Sequence, residues 1–142
     1  MNTFLIAVSV VVVLVFVTRF VTGRQRTREL DRDFSLELTC GRDRAVLAAA
    51  TAARGVLWEV RFTDNGLWTR HIKTRNVVHV TISDLPGRPG RSSAKVWTRY
   101  TWADNVLILR PRSYTDTRRK RDRIVRALAA HEAKDPRSAR IH

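Results

Sequence analysis

The chain has 142 residues, with 27 Lys or Arg against 13 Asp or Glu, a formal net charge of +14 at neutral pH. A single cysteine excludes an internal disulfide framework, and the length leaves one modest core rather than two domains. Arginine outnumbers lysine by 23 to 4, and so large a positive excess points to an anionic neighbour: lipid head groups, nucleic acid or an acidic protein.

Residues 3–22 are a Val-rich apolar run containing Phe4, Leu5, Ile6, Val8, Val10, Val11, Val12, Val13, Leu14, Val15, Phe16, Val17, Phe20 and Val21. As a helix the run would be about 30 Å long at roughly 1.5 Å per residue, the thickness of a bilayer core. Each such side chain favours the bilayer by about 0.3–0.6 kcal/mol on the insertion scale. β-branched residues are poor helix formers in water, but in lipid only an internally hydrogen-bonded helix satisfies the backbone. A buried strand fails on length, since strands run about 5–6 residues. A cleaved leader is disfavoured because Met1-Asn2-Thr3 carries no cation and no small-x-small site follows the run.

Cations flank only one side of the run: Arg19, Arg24, Arg26, Arg28 and Arg32. The positive-inside rule then sets the N-terminus outside and the rest in the cytoplasm, a single-pass protein of a cell inner membrane. Arg19, Arg24, Arg26 and Arg28 are the expected membrane-interface residues, Arg19 reaching the head groups on its long stem. The lone Cys40 accords with a reducing compartment. The expected division is a transmembrane anchor (1–22), a basic juxtamembrane linker (23–33) that could continue the membrane helix, a cytoplasmic α+β domain (34–132) and a flexible tail (133–142).

Alternation of Phe34, Leu36, Leu38 and Cys40 with polar residues predicts a half-buried strand. Gly41 ends it, and Asp43 opens an Ala-rich helix over 44–54 with Val46, Leu47 and Ala50 inward and Gly55 as its C-terminal cap. Val56, Trp58, Val60 and Phe62 alternate next, Asp64-Asn65-Gly66 supplies a hairpin turn, and residues 67–73 return. A polar turn at Thr74-Arg75-Asn76 leads to a strand over 77–82 with Val78, Val80 and Ile82 on one face. The doubled Pro86-Gly87-Arg88-Pro89-Gly90-Arg91 is a stiff hairpin connection within a loop over 85–93. Strands over 95–102 and 106–110 flank Ala103-Asp104-Asn105, Pro111 ends the sheet, and a last helix capped by Ser113, Thr115 or Asp116 reaches about residue 131 with Ile124, Val125 and Leu128 inward. The fold class is α+β: one N-terminal transmembrane helix, then a small antiparallel-sheet domain in the order β-α-β-β-β-β-β-α.

That order, over residues 34–131, loosely resembles the helix-grip (START-like) arrangement, in which a curved antiparallel sheet wraps a long C-terminal helix. The resemblance rests on element order, with one short helix where larger relatives have two. It implies a cavity between sheet and last helix for a small apolar ligand, closed here by Trp58, Trp68, Trp97 and Trp102.

No GxGxxG, phosphate-binding loop, nucleophile elbow or HExxH occurs, so no catalytic residue, cofactor or metal site is expected and the chain is read as a binder rather than an enzyme. His71 and His79 could sit side by side on paired strands, but no third ligand accompanies them; exposed strand histidines are the ordinary reading. Cys40 reads as a small buried hydrophobe. The two arginines of the Pro-Gly-Arg doublet either decorate a stiff turn or face something anionic, although prolines remove the amides a phosphate cradle needs.

The most suggestive feature of the soluble part is a basic cluster: Arg110, Arg112, Arg118, Arg119, Lys120, Arg121, Arg123 and Arg126. Cations opening a helix oppose its dipole by about 0.3–1 kcal/mol each, which suggests they are used elsewhere; the bland alternative is a solvated face relieved by Asp116 and Asp122. Arg112, Arg118, Arg119, Lys120, Arg121 and Arg123 are the expected anionic-surface residues. The leading expectation is a membrane-anchored binding or scaffolding module at the inner leaflet, contacting anionic lipid or a larger membrane protein complex. A tethered nucleic-acid binder, with Trp97, Tyr100 and Trp102 beside Lys95 and Arg99, stands second, because alternation puts Tyr100 and Trp102 on the core face with Val96.

Overall fold

The Val-rich run forms a helix that is longer than the run itself. The computed structural model describes residues 2–99 and 111–132, and α1 is unbroken over Asn2–Leu30. It therefore continues through most of the segment expected as a linker. The helix is long and apolar enough to cross a membrane, and nothing among the described residues buries its apolar window. Its hydroxyls turn back on the helix, Thr18 Oγ1 donating to Leu14 O and Thr22 Oγ1 to Thr18 O, both at 2.6 Å. That satisfies a hydroxyl where water is absent. At the far end Leu30 is fully buried in the domain.

Five strands form: β1 (Phe34–Leu38), β2 (Trp58–Thr63), β3 (Gly66–His71), β4 (Val77–Asp84) and β5 (Ser92–Arg99); the expected alternation fails in β2, where Phe62 is 63% exposed and Val56, 97% exposed, precedes the strand. They make one antiparallel sheet in the order β1-β5-β4-β3-β2. β2 to β5 is a meander of consecutive hairpins, and β1 joins the free edge of β5 with Phe34 opposite Val96 and Leu38 opposite Ser92. Between β1 and β2 lies α2 (Arg42–Ala53), and α3 (Pro111–Ala129) follows β5. The fold is α+β. The expected strand over 106–110, its turn at Ala103-Asp104-Asn105, Tyr100 and Trp102 all lie outside the described residues. Pro111, expected as the end of the sheet, is the first residue of α3, where its missing N–H costs nothing.

Leu38, Leu67, Val78, Val80, Ile82, Ala94 and Val96 line the inner sheet face and bury against Ile124 and Leu128 of α3, as the spacing predicts. α2 differs from expectation. Its buried residues are Ala45, Ala49, Ala50, Ala52 and Ala53, whereas Leu47 is 66% exposed. Small side chains let the helix lie close to both α3 and the sheet, a face that a search for large apolar residues overlooks.

The turns account for the registers. Asp64 and Asn65 connect Thr63 to Gly66, and Gly66 sits at φ +146°, where an added Cβ would lie 2.1 Å from Val80 O. Only glycine allows β4 so close. The doubled tripeptide forms two successive turns: Arg88 N–H donates to Leu85 O and Arg91 N–H to Arg88 O, both at 3.1 Å, with Gly87 and Gly90 at φ +73° and +80°. Pro then Gly at the two central positions is the pattern of a type II turn.

Gly66→Ala is expected to lower stability by about 2 kcal/mol or more, combining backbone strain with a clash against backbone. Gly87→Ala, with nothing within 4 Å of its added Cβ, is expected to cost only the conformational penalty of about 1 kcal/mol. Urea unfolding of the full chain in detergent micelles, followed by tryptophan emission, measures both.

Candidate functional site

The basic cluster does not form one uniform surface. Consecutive residues on a helix point about 100° apart, and α3 uses this to send its cations in different directions. Arg121 is 3% exposed and is turned into the domain, whereas Lys120, 7% exposed, is buried but lines a cleft.

Arg121 reaches the C-terminal end of α1. Its Nη1 donates to Glu29 O at 2.8 Å and weakly to Leu30 O at 3.5 Å, while the guanidinium lies 4.9 Å from the Phe34 ring centroid and bonds Asp122. Thr98 Oγ1 also donates to Leu30 O. The Glu29 carboxylate accepts from Tyr114 and pairs with Arg118 at 3.1 Å. Burial, followed by the Glu29 hydrogen bond, holds the Tyr114 phenol above its usual pKa. The last turn of α1 is thereby fastened to α3. A cation at that end meets the carbonyls that a helix leaves unpaired.

Lys120 does the same for α2. Its Nζ donates to Ala53 O at 3.1 Å and Arg54 O at 2.9 Å and lies 5.2 Å from the Trp58 ring centroid. α2 ends through an extended Arg54 and this ammonium. Gly55, expected as a left-handed cap, instead leaves room: a Cβ there would come 3.1 Å from Lys120 Nζ. Burial, then the Arg123 charge, pulls the Lys120 ammonium below its ordinary pKa.

Arg119 and Arg123 remain exposed and pair with no acid among the described residues. One turn apart, they repel by about 0.2–0.5 kcal/mol. With Asp116 and Lys120 they form one wall of an open cleft of about 340 Å³, whose other wall is His71, Trp58 and the Val56-Leu57 loop. Arg118 is tied to Glu29 and, at 3.7 Å, to Asp122. Arg112 is in the first turn of α3, and its side chain lies outside the described residues. At the anchor, Arg19 and Arg28 are exposed, Arg24 stacks 4.6 Å from the Phe20 centroid, and Arg26 lies 5.3 Å from that of Tyr114.

The two strand histidines are not neighbours. His71 is on the inner face, 5% exposed and edge-on to Trp58. His79 is on the outer face, opposite both Trp68 and Trp97 and stacked on Trp97 at 3.9 Å. The Thr74 N–H donates to His71 Nδ1 at 3.2 Å, so the ring proton is on Nε2. Burial lowers the pKa of both, opposed by Asp116 at His71 and aided by Arg99 at His79.

The outer sheet face carries a row that charge counting overlooked. Arg61, Trp68, His79 and Trp97 sit opposite one another on adjacent strands. Arg61 and Arg70 lie 5.6 and 5.7 Å from the Trp68 centroid, and Arg99 lies 5.8 Å from that of Trp97. Glu59 pairs with both Arg61 and Arg70, and its pKa is lowered chiefly by the Arg70 hydrogen bond.

No protein-family model, curated protein or solved structure matches the chain. The site rests on its own geometry.

Arg121→Met is expected to destabilise the chain by about 2–4 kcal/mol, since it strands buried carbonyls at the end of α1. The same change at Arg119 is expected to stay within about 0.5 kcal/mol. Denaturant midpoints of the two variants, measured side by side in micelles, provide the comparison.

Proposed function

We propose that the chain is a single-pass membrane protein, its N-terminus outside and its domain on the cytoplasmic side of a cell inner membrane. The basic domain acts as a binding or scaffolding module at the inner leaflet, contacting anionic lipid or a membrane-protein partner. One observation carries this reading: a helix whose apolar window is uncovered among the described residues has its far end buried and bonded inside a basic domain.

The distance is favourable. Thr22 to Leu30 is about 12 Å at roughly 1.5 Å per residue, comparable with a screening length of about 8–10 Å in physiological salt. Arg24 and Arg28, on α1 between Thr22 and Leu30, thus lie within range of an anionic leaflet, each attracted by about 1 kcal/mol near the surface. Arg24, Arg28, Arg119 and Arg123 are the exposed candidates.

The nucleic-acid reading gains from the outer row of Trp68, His79 and Trp97 beside Arg61, Arg70 and Arg99. It stands second because guanidinium groups and the neighbouring imidazole already occupy the ring faces on which bases would stack. The helix-grip reading, with an apolar ligand between sheet and last helix, is weakened by Leu38, Val78, Ile82, Val96, Ile124 and Leu128, which pack together there.

Residues 24–142 keep Leu30 and the groups that hold it, so they are the form to sediment with vesicles. Binding is expected to phosphatidylglycerol-containing vesicles and not to pure phosphatidylcholine, and to vanish in 1 M salt, where screening acts within about 3 Å. Arg119→Glu with Arg123→Glu is expected to weaken it roughly tenfold or more. A salt-resistant protein band from gently solubilised membranes moves the reading to a protein partner. Failure on both vesicles, with a single-stranded oligonucleotide shift abolished by Trp97→Ala, moves it to nucleic acid.

A further inference from the structure

We propose that the cleft between α3 and the open end of the β2–β3 hairpin is a binding site for a phosphate group. The proposal goes beyond attraction to a charged surface, and it depends on the cleft alone, not on α1 crossing a membrane.

Charge is the first argument. Three cations, Arg119, Lys120 and Arg123, face the cleft with a single carboxylate, Asp116. Neither arginine has an ion pair among the described residues. Lys120 is buried beside the Trp58 ring, and its hydrogen-bond acceptors among the described residues are two carbonyl oxygens, which take two of its three N–H groups. Carbonyl dipoles orient the ammonium without neutralising it. A buried cation in that state gains most from an anion.

Directionality is the second. The Thr74 N–H fixes Nδ1 of His71 as an acceptor, which leaves Nε2 as a donor on the wall opposite the arginines. Asn76 Nδ2 donates to Thr117 Oγ1 at 2.9 Å, pinning that turn to α3 so that the two walls keep their spacing. Donor residues therefore line the cleft from two elements: Arg119 and Arg123, one helical turn apart, with Lys120 on α3, and the His71 imidazole on β3. A carboxylate offers two oxygens in a plane, whereas a tetrahedral phosphate offers three or more and also accepts paired arginine contacts.

Shape is the third. About 340 Å³ is more than a phosphate alone requires. The lip of the cleft is apolar, with Val56 97% exposed, Leu57 40% and Ile72 60%, and Ile72 N–H bonded to Leu57 O at 2.9 Å. A ligand that seats a phosphate among the cations and lays an apolar part on this lip satisfies both halves. A phospholipid head group has that chemistry, and so does a soluble phosphorylated compound.

The test uses the full chain in dodecyl maltoside, a phosphate-free detergent, and titrates inorganic phosphate by calorimetry against chloride at constant ionic strength. One saturable event per chain is expected. It should weaken at least tenfold in the Arg119→Gln, Arg123→Gln double variant, and by less than twofold in Arg88→Gln, Arg91→Gln, which removes equal charge from the β4–β5 turn. Both pairs are exposed, and matching unfolding midpoints establish that each variant is folded. Phosphatidic acid added to the micelles then distinguishes the sources. Displacement of phosphate at tenfold lower concentration assigns a lipid head group, and its absence assigns a soluble ligand. No saturable uptake, or equal losses in the two double variants, overturns the proposal, and either result leaves the vesicle experiment above free to succeed or fail separately.

Discussion

Lys120 and Arg121, adjacent on α3, each close the C-terminal end of a different helix, and the arrangement of the whole chain depends on that pair. A helix end presents unpaired carbonyls and a partial negative charge, and a hydrogen bond from a charged donor there contributes about 1.5–3 kcal/mol. α3 begins at Pro111 rather than near Asp116, so Lys120 and Arg121 stand mid-helix, beyond the reach of its own N-terminal dipole. Their charges act instead at the ends of α1 and α2, where they meet carbonyl oxygens at 2.8–3.1 Å.

This gives the end of α1 a mechanical character. A flexible juxtamembrane linker would let the domain swing freely, whereas a helix that continues to Leu30 and ends among Arg121, Thr98 and Phe34 sets the position of the domain relative to the apolar segment. The cationic excess divides accordingly. Arg118, Lys120 and Arg121 hold the structure together, and Arg119 and Arg123 remain for an outside anion. A net charge of +14 overstates what any one ligand meets, and two of the exposed cations without an acid partner, Arg119 and Arg123, stand together at one cleft.

Much of the fold was legible in the sequence because its signals are periodic. Strand alternation at Phe34, Leu36 and Leu38, and the inward Ile124 and Leu128, follow from repeats of 2 and 3.6 residues. The Asp64-Asn65 turn and the Pro-Gly-Arg doublet follow from local backbone preference. Relations across the chain were not legible. A run of arginines reads as solvated surface unless the distant carbonyls they cap are known, and those lie 66 to 92 residues away. Of the expected inward face of α2, Ala50 is buried and Val46 packs on the core, but Leu47 is exposed and Ala45, Ala49, Ala52 and Ala53 take the contact, which stayed hidden because small residues give no hydropathy contrast with a solvent face. His71 and His79 were read as exposed strand residues that could sit side by side, yet His71 is buried and strand parity and register put the two on opposite sides of the sheet. Each miss is a long-range contact that no local window contains.

The central claim is that α1 spans a bilayer with the domain on its inner side. Its most direct measurement is labelling of intact cells with a membrane-impermeant maleimide, using Thr3→Cys and Ser93→Cys variants with Cys40, buried in the core, as a silent background. Label on Thr3→Cys in intact cells, and on Ser93→Cys only after permeabilisation, is the predicted result. Label on Ser93→Cys in intact cells contradicts the account.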